Sequence, residues 1–287
     1  MSMSVKKYLD KLEDLSNKEI LITGGTSGIG LSIVDELLYK GANVVVLARN
    51  KNKAKEVKSC MLDKYPNCHL DFIDFDQSDF ANIERAVSTI MNDHPFFYAL
   101  IFNAGIFNAK KSQNEEMSPT IKTNFVGLAY FLKLIIPRLK DEHRLIIQGS
   151  LGAGFHLKKI NSLKDSTLSN WQQYMISKAG VEMLYYHYSS LKLNNLSFYL
   201  VEPGITDSNI IRDFRQPLKV LGKAFLKVAS HSPRKAALTA LLALQTNIEP
   251  CYIVPRGLNT WRGYPVIKNF PKKRIREDLY QMLNEII

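Results

Sequence analysis

Short apolar segments alternate with longer helical stretches along most of the chain. The helical stretches repeat apolar residues every three or four positions, as Ile29, Ile33 and Leu37 do between the first two apolar segments. Several apolar segments contain no polar residue, which is typical of strands covered on both faces of a parallel sheet. The predicted strands are Ile20–Thr23, Val44–Ala48, Leu70–Phe75, Ala99–Phe102, Leu145–Gln148, Ser197–Val201 and Tyr252–Val254. This alternation predicts an α/β fold with a doubly wound parallel sheet of about seven strands and helices on both faces.

The chain is predicted to form one domain over residues 1–287, because no repeat, low-complexity tract or proline-rich linker divides it. The amphipathic pattern of residues 1–17 predicts an N-terminal helical extension. This stretch lacks the long apolar run of a signal peptide. Residues 151–172 and 205–232 are long connections after the fifth and sixth strands, where substrate pockets are commonly built. In 205–232, proline and glycine flank an apolar helical pattern, so we expect a substrate lid there.

The positive charge of the chain does not form a nucleic-acid-binding pattern. The sequence holds 38 Lys and Arg against 27 Asp and Glu, a net charge of +11, and these charges are mostly scattered. The one dense basic cluster, within residues 272–276, is followed directly by Glu277 and Asp278 and lies in no recognisable nucleic-acid motif. We therefore expect no nucleic-acid partner.

Membrane and metal binding are also not expected. The most apolar region, residues 125–137, contains Lys133 and is too short to span a bilayer. The 3 cysteines lack ligand or C-x-x-C spacing, which predicts reduced thiols and a cytoplasmic location. The 6 histidines are dispersed without the spacing of metal ligands.

A glycine-rich turn, Thr-Gly-Gly-Thr-Ser-Gly-Ile-Gly over residues 23–30, follows the first strand and opens the next helix. Glycines let the backbone approach a pyrophosphate closely, and the free N–H groups of a helix start attract its negative charge. The spacing differs from the generic G-x-G-x-x-G, but the position predicts a Rossmann-type domain that binds a nicotinamide dinucleotide. The predicted contacts are Thr23, Gly24, Thr26, Ser27, Gly28, Ile29 and Gly30.

The end of the second strand indicates which dinucleotide is bound. An NAD-selective site would carry an acid there for the ribose 2′-hydroxyl, whereas this sequence carries Arg49 and Asn50. An arginine at this place offers a cation to a 2′-phosphate. The sequence therefore favours NADP(H) over NAD(H), with Arg49 and Asn50 at the cofactor.

Three further motifs follow later strands in a characteristic order. They are Asn103-Ala104-Gly105, Tyr174-Met-Ile-Ser-Lys178 and Pro203-Gly204. Together with the glycine turn they make residues 18–265 resemble the short-chain dehydrogenase/reductase family. The long gap before Tyr174 and the stretch from Tyr252 to Pro265 are similar to the retinol-dehydrogenase-like branch.

The resemblance implies that Tyr174 is the general acid/base, exchanging a proton with the oxygen of a carbonyl or alcohol substrate. Free tyrosine titrates near ~10, too high for ready exchange at neutral pH. Lys178 lies one helical turn further on, where its charge would favour the phenolate. The resemblance also implies that Lys178 binds the nicotinamide ribose.

The serine that assists Tyr174 has two candidates. Ser150 ends the fifth strand, where its hydroxyl could bond the substrate oxygen as charge develops, but it lies further from Tyr174 than is usual in the family. Ser162 fits the spacing better and lies in a polar connection without a strand to hold it. Strand-end position favours Ser150. Asn124 resembles the asparagine that holds a water for proton relay, and a buried asparagine that satisfies backbone groups explains it equally well.

The resemblance assigns the remaining cofactor contacts. Asp76 would be the acid on the adenine side, with Asp74 close enough to be the alternative. The others lie after the fourth and sixth strands: Asn103, Ala104 and Gly105 would follow the ribose, Pro203 and Gly204 would border the nicotinamide, and Ile205 and Thr206 would lie near its carboxamide.

The sequence therefore predicts an NADP(H)-dependent oxidoreductase that transfers hydride between the nicotinamide and a carbonyl compound or a primary or secondary alcohol. Apolar residues in the two long connections favour a lipophilic substrate. The alternative is a catalytically silent dinucleotide-binding sensor or scaffold on the same fold. The resemblance and the tyrosines Tyr185, Tyr186 and Tyr188 also predict a homodimer or homotetramer, formed through their helix and the one near Asn124.

Overall fold

The computed structural model describes residues 4–107, 116–154, 163–165, 167–206, 230–249, 251–257 and 260–283. Within these residues, eight strands form one sheet in the order β3-β2-β1-β4-β5-β6-β7-β8. The strands are β1 (Glu19–Thr23), β2 (Asn43–Ala48), β3 (Leu70–Asp74), β4 (Ala99–Phe102), β5 (His143–Gln148), β6 (Leu196–Val201), β7 (Cys251–Pro255) and β8 (Pro265–Lys268). The helices are α1 (Val5–Leu9), α2 (Gly28–Tyr39), α3 (Lys51–Lys64), α4 (Phe80–Asp93), α5 (Pro119–Ile121), α6 (Gly127–Ile135), α7 (Asn170–Ser190), α8 (Pro233–Ala243) and α9 (Glu277–Leu283).

The first seven strands pair in parallel, which confirms the predicted doubly wound α/β fold and all seven predicted strands. The strand order reverses direction between β1 and β4, and this switch point opens a crevice at the carboxyl ends of the strands. The glycine turn, Asn103 and Ser150 all follow strands at that edge. The topology therefore brings distant motifs of the sequence to one place.

The eighth strand was not predicted from the sequence. It pairs antiparallel with β7, from Tyr252 opposite Lys268 to Pro255 opposite Pro265. A short edge strand that begins with proline and ends with an exposed lysine has neither the apolar run nor the alternation by which strands are predicted.

The core lies in two layers, one on each face of the sheet. Along β1, Ile20 and Ile22 face the layer that includes α2 and α8, whereas Leu21 faces the layer of α4, α6 and α7. The alternate direction of side chains along a strand produces this division. The predicted N-terminal extension contains α1, whose Leu9 is fully buried in the first layer.

The C-terminal helix α9 packs against α7 and covers part of its surface. Leu279 and Leu283 of α9 are fully buried, and the ring of Tyr186 on α7 meets those of Phe270 and Tyr280. Of the tyrosines predicted to face a second copy, Tyr185 and Tyr188 are buried within the chain itself. The oligomeric state remains a prediction, and these two side chains no longer support it.

Two sequence-based expectations fall wholly or mostly outside the described residues: Ser162, and the predicted lid beyond Thr206 as far as residue 229. The described ends of the lid segment lie side by side, because Thr206 forms a parallel bridge with His231. No helix in the described part of the chain is long and apolar enough to cross a membrane.

Candidate active site

The glycine turn has the backbone that a pyrophosphate site requires. Gly24 and Gly28 adopt φ values of +70° and +55°, which residues with a side chain rarely adopt. A Cβ atom on Gly30 would lie 2.3 Å from the carbonyl oxygen of Gly24, so only glycine lets α2 start this close to the turn. Ser27 precedes the helix without a side-chain capping bond, which leaves the first N–H groups to a ligand. These features fit the phosphates of a dinucleotide.

A chain of hydrogen bonds across three strands holds this turn in place. Asn103 Nδ2 donates to the carbonyl oxygens of Thr23 (3.0 Å) and Gly24 (3.2 Å), and the Ala104 amide donates to Thr23 Oγ1 (2.9 Å). Gln148 Nε2 in turn donates to Asn103 Oδ1 (3.0 Å). Asn103 thus braces the glycine turn. Gln148 was missed, although its sequence signal is a buried amide at the end of an otherwise apolar strand.

The polar groups at the ends of β2 and β3 lie where the adenosine ribose of a dinucleotide would be. Arg49 is 67% exposed in its side chain, and its Nη1 lies 3.8 Å from Asp76 Oδ2, a loose pair that leaves the guanidinium accessible. Asp74 instead pairs with Lys51 at 3.3 Å, so Asp76 is the acid beside Arg49. Asn50 Oδ1 accepts from the Lys53 amide (2.9 Å) and caps α3. The Asn50 side chain therefore has a structural role.

Tyr174 and Ser150 are brought together by α7 and the end of β5. The Tyr174 hydroxyl donates to Ser150 Oγ at 3.4 Å, and the Gly152 amide donates to the same oxygen at 3.2 Å. A short 3-10 turn, Leu151–Gly154, directly follows Ser150 and contains the Gly152 amide that holds the Ser150 side chain. The geometry therefore pairs the strand-end serine with the tyrosine.

Lys178 is buried beside the end of β5, and its Nζ donates to the Gln148 carbonyl oxygen at 3.0 Å. Burial lowers the pKa of Lys178 to about 8, against the opposing effect of the Glu182 charge. Burial raises the pKa of Tyr174, and the hydrogen bond with Ser150 opposes that increase. At neutral pH the tyrosine is protonated and the lysine is charged, which are the states that a proton donor and its electrostatic partner require.

Asn124 lies in a π-helical segment, Lys122–Val126, between α5 and α6. Its Oδ1 accepts from the Ile106 amide (2.8 Å), and its Nδ2 donates to the Ile106 carbonyl oxygen (2.9 Å) and to Ser177 Oγ (3.0 Å). Ser177 Oγ donates to the Tyr174 carbonyl oxygen (2.8 Å). Asn124 therefore ties the chain after β4 to the turn of α7 that carries Tyr174, which agrees with the interpretation that it satisfies backbone groups.

Aromatic rings form an apolar wall beside Tyr174. The Phe107 ring meets the Tyr174 ring edge-on with centroids 5.3 Å apart, and the Trp171 ring stacks on it at 6.2 Å. Trp171 is 42% exposed, so the wall reaches the surface. Phe107 was not predicted to belong to the site, since its only signal is its position after Asn103-Ala104-Gly105.

The segment after β6 is held by backbone bonds from two later parts of the chain. Gly204 adopts a φ of +75°, and the Ile205 amide donates to the Trp261 carbonyl oxygen at 2.7 Å. The His231 amide donates to the Ile205 carbonyl oxygen (3.0 Å), while its ring Nε2 bonds the Pro203 carbonyl oxygen (2.5 Å). This segment is therefore fixed at the same edge as Ser150.

Among residues with a described position, no three His, Cys, Asp or Glu side chains are grouped so that they could hold a metal ion.

Comparison with known proteins identifies the family. The sequence model described as short chain dehydrogenase matches residues 18–219. The chain therefore belongs to the short-chain dehydrogenase/reductase family, as predicted, and is an NAD(P)-dependent dehydrogenase or reductase.

Curated relatives agree with this assignment, and solved structures agree with the fold. The chain is 26% identical over 254 residues to short-chain dehydrogenase TIC 32 B, chloroplastic, of Brassica napus, covering 82% of this chain and 78% of the relative. It is 24% identical over 248 residues to human dehydrogenase/reductase SDR family member 13, covering 83% and 65%. The fold is similar to that of an uncharacterised protein from Mycobacterium paratuberculosis, with a TM-score of 0.74, 18% identity and 97% of both chains covered. It is also similar to the NADP complex of Pseudomonas aeruginosa RhlG, with a TM-score of 0.64, 20% identity and 81% and 91% covered.

Proposed function

We propose that the protein is an NADP(H)-dependent oxidoreductase that interconverts a carbonyl compound and its alcohol, with Tyr174 as the general acid/base. The observation that carries this proposal is the arrangement of three groups at one sheet edge. The Tyr174 and Ser150 hydroxyls lie 3.4 Å apart, and the Lys178 ammonium is held 3.0 Å from the Gln148 carbonyl oxygen, two residues before Ser150.

The cofactor would be held by the glycine turn 23–30, by the segment after β4 and by the segment after β6. When bound, its nicotinamide supplies hydride for reduction or accepts it in the reverse reaction. Asn103 acts on this site indirectly, since its amide fixes two carbonyl groups of the turn. The positive φ values at positions 24 and 28 favour glycine, and the absence of a side chain there leaves room for the pyrophosphate.

In the reducing direction, Tyr174 gives its phenolic proton to the carbonyl oxygen, which becomes the alcohol hydroxyl. Ser150 donates a hydrogen bond to the same oxygen as negative charge develops on it. The Lys178 charge, one helical turn along α7 from Tyr174, would favour the phenolate that remains, because a nearby opposite charge stabilises the ionised form. In the oxidising direction the phenolate takes the proton back from the alcohol.

Two features support finer assignments. The exposed guanidinium of Arg49, with only a loose pair to Asp76, supports NADP(H) over NAD(H), since it is free to bind a 2′-phosphate. The aromatic wall of Phe107 and Trp171 beside Tyr174 supports a lipophilic substrate.

The proposal is tested by a turnover screen of ketones, aldehydes and alcohols with NADPH, NADP⁺, NADH and NAD⁺, followed by Tyr174→Phe. That variant is expected to lower kcat by roughly 10²- to 10⁴-fold, the usual contribution of a general acid/base, and to bind NADPH with nearly unchanged affinity. Tyr186→Phe is the matched control, because Tyr186 lies on the same helix and its ring meets those of Phe270 and Tyr280 in the C-terminal segment.

A silent cofactor-binding sensor is the competing outcome. It would be indicated if the purified protein bound NADPH, turned over no compound of the screen and responded identically to both substitutions.

A further inference from the structure

A buried charged cluster lies one helical turn beyond Lys178, outside the site described above. Arg274 Nη1 donates to Glu182 Oε1 on α7 and to the Tyr252 hydroxyl on β7, both at 2.9 Å, and to Glu202 Oε1 at the end of β6. The Tyr252 hydroxyl donates to Glu202 Oε1 at 2.7 Å. Both glutamates are fully buried, and Arg274 is 13% exposed in its side chain. This arginine therefore joins three separate elements.

Arg274 also contacts the turn that carries the catalytic serine. A Cβ atom on Gly154 would lie 2.7 Å from Arg274 Nη2 and 2.9 Å from Nε, so the flat guanidinium rests directly on the Gly154 backbone. Gly154 ends the Leu151–Gly154 turn, and Gly152 in the same turn donates its amide to Ser150 Oγ. The guanidinium thus contacts the turn that directly follows Ser150 and, through Glu182, also binds α7.

The composition of the cluster argues against a role in stability alone. Two fully buried carboxyl groups share one guanidinium, and Oε2 of each glutamate has no hydrogen-bond partner within the described structure. Burial raises the pKa of Glu182 well above its usual range, against the opposing effect of the Arg274 charge. Well-packed apolar residues would stabilise such a position at least as well, because desolvation of buried charges is costly. In some proteins a buried ionic group instead fixes one specific arrangement of the residues around it.

We propose that Arg274 is a positioning residue for the catalytic groups, a clamp that sets the separation between Ser150 and Tyr174 by holding Glu182, Glu202 and Gly154 together. This inference rests on the proposed function for its kinetic consequence. It extends that function to the C-terminal segment, which lies outside the residues matched by the family model. Without the clamp, the Leu151–Gly154 turn and α7 would lose their common support.

The test removes the guanidinium together with the Glu202 carboxylate that it neutralises. Arg274→Met combined with Glu202→Gln leaves the Tyr252 hydroxyl able to donate to the amide oxygen at position 202, and leaves Glu182, whose pKa burial raises. The double variant is expected to fold with an unchanged circular dichroism spectrum. Its kcat is expected to fall by up to about 100-fold, the effect of a misplacement near 1 Å, with the Kd for NADPH nearly unchanged. Arg274→Lys, which retains the charge but not the planar surface, should recover part of the loss.

The matched control is the neighbouring pair in the same segment. Arg276 bonds Asp278 through two nitrogens at 2.9 and 2.6 Å, so Arg276→Met with Asp278→Asn removes an equivalent ion pair. That variant is expected to keep its kcat. Full kcat in the Arg274 double variant, or an equal loss in the control, would overturn the clamp.

Hydrogen exchange separates failure of the clamp from failure of the proposed function. In the Arg274 double variant, the amides of Leu151–Gly154 and of the first turns of α7 should exchange faster than in the parent protein, whether or not a substrate is known. Unchanged exchange there would contradict the clamp even if the enzyme were inactive. Gly154→Ala is a second route to the same outcome, because its methyl group would displace the guanidinium while every charge remains.

Discussion

The pKa values of individual side chains in this site depend on burial as much as on their hydrogen-bonding and charged partners. Burial raises the pKa of Tyr174 and lowers that of Lys178, so the two groups move in opposite directions. The lysine remains charged at neutral pH because its pKa falls only to about 8. Tyr174 can therefore release a proton at neutral pH only with electrostatic help from its surroundings.

The pH dependence of turnover follows from the lowered pKa of Lys178. This lysine becomes neutral above about pH 8, where an ordinary lysine would stay charged. Carbonyl reduction needs the charged form, so kcat should be level below that value and fall roughly tenfold per pH unit above it. Lys178→Met should be slow at every pH and lack this decline. A parent enzyme whose kcat is constant up to about pH 10 would contradict the assignment.

Arg49 determines the choice of dinucleotide in the proposed function. Arg49→Asp removes the cation and places a carboxylate where the 2′-phosphate would bind, so NADPH affinity should fall by about 100-fold, as for the loss of a strong charged contact. NADH affinity should change little, because its 2′-hydroxyl can bond the new carboxylate. Fluorescence titration of both cofactors measures the difference. Arg85→Asp on α4 makes the same change in net charge, and equal losses for both cofactors would refute the role of Arg49.

At the scale of elements, the sequence predicts what local patterns specify. The seven parallel strands could be predicted because each is a compact apolar run, and the site edge could be predicted because the motifs and the long connections follow the carboxyl ends of those strands. The eighth strand could not, since Pro265–Lys268 becomes a strand only by pairing with β7. Its hydrogen bonds come from tertiary structure and leave no periodic signal.

Within the site, hydrogen bonds between elements likewise could not be predicted from the sequence. The motifs identified Asn103, Asn124, Tyr174 and Lys178, but their geometry depends on residues that no motif contains. Gln148 reaches Asn103 across two strands, and Ser177 links Asn124 to the Tyr174 backbone. The π-helical segment that directs Asn124 towards Ile106 has no sequence signature either. Residue types were therefore predictable, whereas the hydrogen bonds that fix them were not.

For the whole molecule, the C-terminal segment completes the side of the fold that carries α7, the helix of Tyr174 and Lys178. Arg274 inserts between α7, β6 and β7, while α9 covers the next turns of α7 with two fully buried leucines. The basic residues of the cluster at 272–276 accordingly lie in two different environments. Arg274 and Arg276 are engaged with acidic groups inside the chain, and Lys272 and Lys273 are exposed.

The packing of α9 predicts that the C-terminal segment contributes to global stability. Leu279→Ala removes a fully buried side chain from the layer shared with α7 and should lower the free energy of unfolding by about 2–5 kcal/mol. Urea denaturation of the parent and the variant measures this change. Ile248→Ala is the control, because Ile248 is 57% exposed and should cost less than about 0.5 kcal/mol. If Leu279→Ala were equally mild, α9 would be an appendage that separates from α7 in solution, and the α7 surface would be open to a second copy of the chain.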